Sequence, residues 1–275
     1  MSLSYAGHRR RDSLLDNVTT SLLDAFLQQL KTAPSSVLLL DYDGTLAPFH
    51  VDRNRAFPYP GVISILEKIA RSGGTKVIII SGRPIVELRV LLAPMNNLEM
   101  WGTHGLERQL SNGSYSYVPI TEEDAVALTK AQEWIVAAGL LSRAEIKLGG
   151  IAIHWRGLSP AEAKSVQSLT LDGWTKIADQ SRLKLLQFEA GLELRVSHPD
   201  KGDAVTSILA DLETRAPIAY LGDDLTDEDA FRALNGHGLT VLVKGTYRET
   251  NADTWIRPPQ ELIDFLERWL INISG

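Results

Sequence analysis

Val37-Leu38-Leu39-Leu40-Asp41-Tyr42-Asp43-Gly44-Thr45 is the stretch on which the fold of this 275-residue chain turns. Four aliphatic residues in a row suit a strand buried on both faces, as in a parallel sheet covered by helices, and the abrupt change to acid and glycine marks the strand's carboxyl end. Three more runs share the texture: Val77-Ile78-Ile79-Ile80, Ile218-Ala219-Tyr220-Leu221 and Leu239-Thr240-Val241-Leu242-Val243. Helical patterns follow them. Pro60 to Arg71 sets Val62, Ile65, Leu66 and Ile69 at helical spacing behind a first-turn proline, and Ala230 to Leu234 and Pro258 to Ile271 read similarly. Strand and helix in alternation predict an α/β fold with a doubly wound, mostly parallel sheet as its core.

Between residues 112 and 196 the texture changes. Glu122 to Ala138 reads as a helix, Glu145 to Trp155 as a hairpin pivoting on Gly149-Gly150, Pro160 to Ile177 as a second helix, and Leu183 to Val196 as a hairpin around Ala190-Gly191. This αββαββ unit has core-like runs on both sides. The expected organisation is therefore a Rossmann-like core of residues 1–111 and 197–275 with an inserted α+β cap at 112–196. Ser13 to Leu30 adds an amphipathic helix with Leu14, Val18, Leu22, Ala25, Phe26 and Gln29 along one side, expected to pack on the core.

Composition narrows the function. The chain has 34 acidic and 28 basic residues, a net charge of −6, so it lacks the basic excess by which a dedicated nucleic-acid binder grips phosphates. Cysteine is absent, which removes disulfides, thiol nucleophiles and cysteine-bound zinc. Arg9-Arg10-Arg11 is followed only by Leu14-Leu15 before Asp16, too little for a signal peptide, and the longest apolar stretch, Trp134 to Leu141, falls far short of the ~18 residues of a membrane span. A soluble, cytoplasmic monomer acting on a small molecule is expected, with neither nucleic acid nor membrane as a partner.

Chemistry gathers at the strand ends, where open α/β sheets bind ligands. Asp41 and Asp43 lie two apart and Gly44 turns the chain, so both carboxylates can face one cavity. The run Gly222-Asp223-Asp224-Leu225-Thr226-Asp227-Glu228-Asp229 ends another strand. Its acids repel one another unless a cation or solvent neutralises them. A solvated helix N-terminus accounts for Asp227 and Glu228 better than for the doublet Asp223-Asp224, and carboxylates without histidine or cysteine partners suit Mg²⁺. Ser81-Gly82-Arg83-Pro84 is either an anion-binding turn or a serine helix cap. Lys201 opens a helix, against the dipole, so a phosphate or a carboxylate is expected to hold it there.

In order, Asp41-x-Asp43-Gly44-Thr45, Ser81-Gly82-Arg83, Lys201-Gly202 and Gly222-Asp223-Asp224-x-x-Asp227 resemble the four motifs of the haloacid dehalogenase superfamily of phosphatases, and the insertion resembles that superfamily's class-two cap. Gly102-Thr103-His104-Gly105-x-Glu107, the segment Lys147 to Arg156 ending in His154-Trp155-Arg156, and Glu193-Leu194-Arg195 make the chain similar, more narrowly, to the trehalose-6-phosphate phosphatase family from about residue 36 onward. Lys147 preceding Leu148-Gly149-Gly150, Trp155 and Thr103 depart from the family's usual pattern. The departures bear on the sugar contacts and not on the phosphate chemistry.

The resemblance implies Asp41 as nucleophile, forming an aspartyl-phosphate, and Asp43 as the acid that protonates the departing sugar and the base that activates water. It implies Mg²⁺ on the Asp41 carboxylate, the Asp43 carbonyl and Asp223, with Asp224 as an outer partner. It puts the phosphate on Ser81 and Lys201, with Gly44, Thr45, Gly82 and Arg83 around it, and the sugar on His104, Lys147, His154, Arg156 and Glu193. At about 4 Å and an effective dielectric near 20, each pair of like unit charges costs roughly 4 kcal/mol, so a dianionic phosphate meets roughly 8 kcal/mol of repulsion from one carboxylate. A divalent ion and the Lys201 ammonium reverse the sign. The duller readings are that His154 and Arg156 merely share a strand face and that Glu193 pairs with Lys184 across its hairpin. Trehalose 6-phosphate is the expected substrate. Sucrose phosphate, mannosyl-phosphoglycerate and hexose phosphates are the alternatives, with a phospho-receiver module or a sugar-phosphate sensor as the non-enzymatic ones.

Overall fold

The computed structural model of the chain describes residues 21–188, 190–212 and 216–274. In chain order, a helix α1 (21–30) leads to β1 (Ser36–Leu40), α2 (Val62–Arg71), β2 (Thr75–Ile80), α3 (Ile85–Leu91), β3 (Glu99–Gly102), β4 (Glu107–Gln109) and β5 (Tyr115–Tyr117). Then come α4 (Glu122–Ala137), β6 (Ala144–Lys147), β7 (Gly150–His154), α5 (Pro160–Asp179), β8 (Lys184–Phe188) and β9 (Gly191–Arg195). The chain closes with α6 (Lys201–Asp211), β10 (Ile218–Gly222), α7 (Asp227–Leu234), β11 (Leu239–Val243), β12 (Thr254–Ile256) and α8 (Gln260–Ile273).

The expected α/β architecture is present. An eight-stranded sheet runs β12-β11-β10-β1-β2-β3-β4-β5, parallel through β3 and antiparallel for β4 and β5. Successive side chains on a strand point to opposite faces, so β1 divides its leucines. Leu38 and Leu40 join the cluster under α1, α2, α3 and α8, while Val37 and Leu39 join Ile78, Tyr220 and Phe231 under α6 and α7. Helices on both faces explain why the strands read as unbroken apolar runs. The chain moves from β1 toward β3 and later returns to β10 on the other side of β1. The strand order thus reverses at β1, and a cleft opens at the carboxyl end of that strand.

Between β5 and α6 sits the αββαββ unit, whose antiparallel sheet has the order β6-β7-β9-β8. One face of that sheet, with Ile151, Ile153, Leu192 and Leu194, packs on α4 and α5 around Trp174. The larger sheet reaches past residue 111, because β5 pairs with β4.

Two local expectations are corrected. Pro60 stands ahead of α2 and not in its first turn. Gly61 takes the N-cap position with φ of 92°, and the helix starts at Val62. On α1 the buried residues are Leu23, Phe26, Leu27 and Leu30, whereas Leu22, Ala25 and Gln29 face solvent. Spacing of three and four residues puts this stripe against α8, where the Phe26 ring lies 5.7 Å from that of Trp269. The expected helical residues 13–20 fall outside the described part of the chain.

Trp174 is fully buried and meets Trp134 edge-on at 6.3 Å, an approach that Gly173 permits, since a Cβ there would lie 2.2 Å from the Trp134 ring. Trp174→Ala removes a fully buried tryptophan from the core of the inserted unit and should cost about 3–5 kcal/mol. Denaturation monitored by amide exchange should show β6 to β9 losing protection well before β1 and β10.

Candidate active site

Asp41 follows the last residue of β1, and its backbone N–H donates to the Leu221 carbonyl at 2.9 Å, which stitches the ends of β1 and β10 together. Its side chain is buried. The Lys201 ammonium donates to Asp41 Oδ1 at 2.7 Å and the Thr45 hydroxyl to Oδ2 at 3.2 Å. Lys201, the first residue of α6, is itself buried and also donates to Asp227 Oδ1 at 2.6 Å. Carboxylates, then, hold it at a helix end it would otherwise disfavour. Asp200 caps that helix from the preceding position and Asp203 bonds back to it.

Asp227 is the residue whose part the sequence reading missed. It has no exposed surface, and its oxygens accept four hydrogen bonds: Lys201 and the Tyr220 hydroxyl (2.5 Å) on Oδ1, and the N–H groups of Asp223 (3.0 Å) and Asp224 (2.9 Å) on Oδ2. Burial alone would push its carboxyl up, but Lys201 and these donors outweigh burial and hold it below the ordinary range. The four-residue spacing from Asp223 was visible in the sequence. Its reading as a solvated helix end was the plausible one until burial was known. Glu228, placed in the same reading, instead anchors the loop after β11 by accepting from Thr250 and Asn251 and pairing with Arg248.

One carboxylate oxygen from each of Asp41, Asp223 and Asp227 lies within 4.8 Å of the others, all buried. Burial first, then the neighbouring Asp227, raises the Asp41 carboxyl to about 7, despite Lys201. Burial and the Asp41 charge push Asp223 well above its usual value. Such a cluster carries a negative charge that desolvation penalises and a hard cation would relieve. Each Asp227 oxygen accepts two donors and each Asp41 oxygen one, so Asp41 and Asp223 are the carboxylates that keep lone pairs for a cation. Asp224 lines the hollow, but its Oδ1 accepts from the N–H of Leu225.

Gly44 is placed differently from expectation. Its N–H donates to the Ala47 carbonyl at 2.8 Å, and neither it nor Thr45 lines the hollow. A Cβ on Gly44 would lie 2.2 Å from Asp223 Oδ2, and φ is +82°, so glycine is required here for the carboxylate to approach the backbone. Thr45 acts on Asp41 through its side chain.

The turn at the end of β2 interlocks with a second one. Ser81 is buried, its Oγ accepts from the Arg83 N–H at 3.1 Å, and its carbonyl accepts from the His104 N–H at 2.9 Å. Thr103 and His104 both adopt left-handed backbone, with φ of 49° and 57°, which costs energy in a β-branched residue and persists because hydrogen bonds to Arg83, Ser81 and Glu107 pin it. The His104 ring lies across Gly82, where a Cβ would come within 2.6 Å of it. Arg83 clamps Asp43 with two bonds of 2.6 Å, Nε to Oδ2 and Nη2 to Oδ1. That guanidinium therefore faces a carboxylate of its own chain.

Above these groups lies the second face of the smaller sheet. Register places Glu145, Ala152, Glu193 and Leu186 in one row across β6, β7, β9 and β8. Lys147 and His154 project to the same side by the two-residue alternation. Lys147 Nζ forms an ion pair with Glu193 Oε1 at 2.7 Å and donates to the Gly82 carbonyl at 3.2 Å, and His104 Nε2 donates to Glu193 Oε2 at 3.1 Å. His154 Nε2 donates to Glu145 Oε2 at 2.9 Å, Arg53 pairs with Glu145 and with Glu87 (2.8 Å), and Arg156 donates to the His50 carbonyl at 3.2 Å. Glu193 thus looks into the hollow and away from Lys184, which lies opposite Arg195.

The hollow measures about 120 Å³. It brings together Asp41, Asp43, Ser81, Gly82, Arg83, His104, Lys147, His154, Arg156, Glu193, Lys201, Asp223 and Asp224, and adds Arg53, Glu145, Phe49 and Phe188, which sequence reasoning did not name. Glu145 was within reach, being two residues from Lys147 on one strand. Nothing local marks Arg53.

Burial, with Arg195 and Lys147 nearby, lowers the His104 imidazole to about 4, against the pull of Glu193. Its ordinary value is 6.5, so between about pH 6.5 and 4 the unfolded chain holds a proton the folded one refuses. The stability from this site is complete above 6.5 and falls with pH toward 4. The swing is at most about 3 kcal/mol. His104→Asn, which tolerates left-handed backbone, should flatten the acid limb of the melting-temperature profile by a corresponding amount, while leaving neutral-pH helicity by circular dichroism unchanged.

Residues 39–255 match the trehalose-phosphatase family. The chain is 30% identical over 259 residues to trehalose-phosphate phosphatase B of Arabidopsis thaliana, covering 84% of this chain and 65% of that protein. To probable trehalose-phosphate phosphatase C of the same plant it is 28% identical, covering 90% and 81%. Its fold is similar to the C-terminal domain of Candida albicans trehalose-6-phosphate phosphatase, with a TM-score of 0.77 at 20% identity over 90% of this chain and 96% of that one. It is also similar to a haloacid dehalogenase-like hydrolase from Bacteroides thetaiotaomicron, with a TM-score of 0.63 at 17% identity over 85% and 99%. Matched over most of its length and carrying the acidic strand ends just described, the chain belongs to the trehalose-phosphatase family of phosphoric monoester hydrolases.

Proposed function

We propose that the chain hydrolyses trehalose 6-phosphate to trehalose and inorganic phosphate through an aspartyl-phosphate on Asp41. One observation carries the reading. The acids of two strand ends (Asp41, Asp223) and the lysine that opens α6 (Lys201) share a hollow with the polar face of the inserted unit (Lys147, Glu193, Glu145). The first set suits a phosphoryl group and the second suits a neutral, many-hydroxylated leaving group.

Asp41 Oδ attacks phosphorus as the bond from phosphorus to the sugar oxygen breaks, and Asp43 gives its proton to that oxygen. In the second step water attacks phosphorus, Asp43 takes the water's proton, and the acyl-phosphate bond breaks to free Asp41 and phosphate. Lys201 holds Asp41 in line and offsets charge on the phosphoryl oxygens, and Ser81 can donate its hydroxyl hydrogen because its Oγ already accepts from Arg83. The carboxylates of Asp41 and Asp223 fit Mg²⁺, with the Asp43 carbonyl and Asp224 as the further oxygen donors that the family resemblance implies, since a hard cation would relieve carboxyls that burial has pushed up. When bound, the ion supplies positive charge against the phosphate.

The polar face of the inserted unit is joined across the hollow to the other unit, Lys147 to the Gly82 carbonyl and Glu145 to Arg53, and these contacts stand where a sugar would lie. Substrate therefore enters with the inserted unit lifted, and that unit acts as a cap. Closing it replaces the contacts of Lys147, Glu193 and Glu145 by sugar hydroxyls.

Phosphate release from trehalose 6-phosphate, sucrose 6-phosphate and glucose 6-phosphate, with and without chelator, tests the reading. The expected order puts trehalose 6-phosphate first by kcat/KM, with activity lost in chelator; preference for the monosaccharide ester would sink the disaccharide assignment. Asp41→Asn should lose at least ~10³-fold in kcat with an unchanged circular dichroism spectrum.

A further inference from the structure

We propose that Lys244 is a built-in counter-charge for Asp223, a positioning residue that steadies the metal-free site and sets how tightly a divalent cation is held. The inference rests on the metal reading above. Lys201 serves Asp41 and Asp227, which leaves Asp223 as the third member of a buried acidic group. Among the described residues, the cation whose charged end reaches the Asp223 carboxylate is Lys244, with Nζ 3.4 Å from Oδ2 and 3.4 Å from the Asp223 carbonyl oxygen.

This lysine is set in place by its own backbone. Its N–H donates to the Ile256 carbonyl at 3.0 Å, and its carbonyl accepts from the Trp255 indole at 2.6 Å, so the residue just beyond β11 is fixed on both sides. The loop that follows is tied down as well, since Arg248 donates to the Asp224 carbonyl at 2.8 Å and pairs with Glu228. An ammonium on an anchored backbone, about one-third exposed, differs from a surface lysine sweeping through solvent.

The acids thus lie between two lysines. In the metal-free protein, Lys244 relieves repulsion among Asp41, Asp223 and Asp227. With a divalent cation on Asp223, the same ammonium repels the ion and shares its ligand. Removing the charge should therefore destabilise the empty site and tighten the loaded one. Since an ion pair of this exposure is modest in water but here ends on a buried carboxylate, the expected gain in affinity is about 3- to 10-fold.

Mg²⁺ titrated into chelator-stripped protein, followed by calorimetry and by melting temperature, reads this without turnover. Wild type should bind and Asp223→Asn should not. Lys244→Met should show a dissociation constant about 3- to 10-fold lower, a lower melting temperature in chelator and a larger rise on adding Mg²⁺. Lys244→Arg, which keeps the charge, should stay within about twofold of wild type. An unchanged or weaker affinity in Lys244→Met, with Asp223→Asn still abolishing binding, would overturn the Lys244 assignment while leaving the metal reading intact. Binding that survives in Asp223→Asn would overturn both.

Discussion

A buried ammonium between two buried carboxylates is the constraint on which the site depends. Lys201 lies within 2.7 Å of Asp41 and within 2.6 Å of Asp227, and all three are almost fully removed from solvent. Removing Lys201 would leave two carboxylates facing each other in a low dielectric, a heavier penalty than the loss of an ordinary surface ion pair. Burial tends to strip Lys201 of its proton, but the two carboxylates win and push its pKa up, so it stays charged. The arrangement is also a fastening. Asp41 belongs to the end of β1, Asp227 opens α7, and Lys201 opens α6. Asp227 further grips the backbone of Asp223 and Asp224, which fixes the loop where β10 ends. One lysine and one aspartate thereby align three segments far apart in sequence.

The inserted unit solves a different problem with the same alternation that splits the leucines of β1. Its sheet gives one face to α4 and α5 and the other to the hollow, so a single strand such as β9 supplies Leu192 and Leu194 to a core while turning Glu193 toward His104. Small residues keep the polar face open: Ala152 lies between Glu145 and Glu193 in register, and Gly150 is the neighbour of Lys147. Around the hollow the two units meet through charged and polar ends, as Lys147 on the Gly82 carbonyl and Glu145 on Arg53 illustrate, while Leu106 of the larger unit enters the apolar core of the inserted one. Polar contacts of this kind trade readily for water or for hydroxyl groups, which suits the opening proposed for the inserted unit.

Most of this was legible because strand ends announce themselves. The change from Leu40 to Asp41, from Ile80 to Ser81 and from Leu221 to Asp223 combines an apolar run with chemistry at its tip, and the topology then brings the tips together. Periodicity likewise separated the inserted helices from their hairpins. What stayed hidden depended on distances that no local pattern carries. Asp227 looked like a helix-dipole acid because the sequence shows its neighbours along the chain and not Lys201, which lies 26 positions away. Gly44 looked like a phosphate-binding amide, whereas its reason is the Asp223 carboxylate packed against it from β10. Arg53 opens a single 3-10 turn too short to show periodicity and acquires its place only through Glu87 and Glu145. The misplaced stripe on α1 has a similar cause: its buried side is chosen by Trp269 on α8, not by the helix itself.

The pairing of Asp43 with Arg83 sets a condition on the proposed chemistry. Both carboxylate oxygens are engaged by the guanidinium, in the parallel two-bond geometry that arginine and carboxylate favour. A group held in that way has no oxygen directed at a departing sugar or at an incoming water. Asp43 must therefore leave Arg83, at least in part, when the cap closes over substrate, and return when the product goes. Arg83 stays anchored during the exchange, because its own amide bonds to Ser81 and its carbonyl to the N–H of Thr103. The same two turns that carry Arg83 carry His104, and His104 holds Glu193 of the cap. A sugar that displaces Glu193 from His104 acts on the structure that also supports Arg83, so cap contact and release of the acid and base group are mechanically adjacent. On the proposed mechanism, the proton donor would then be released where the sugar sits.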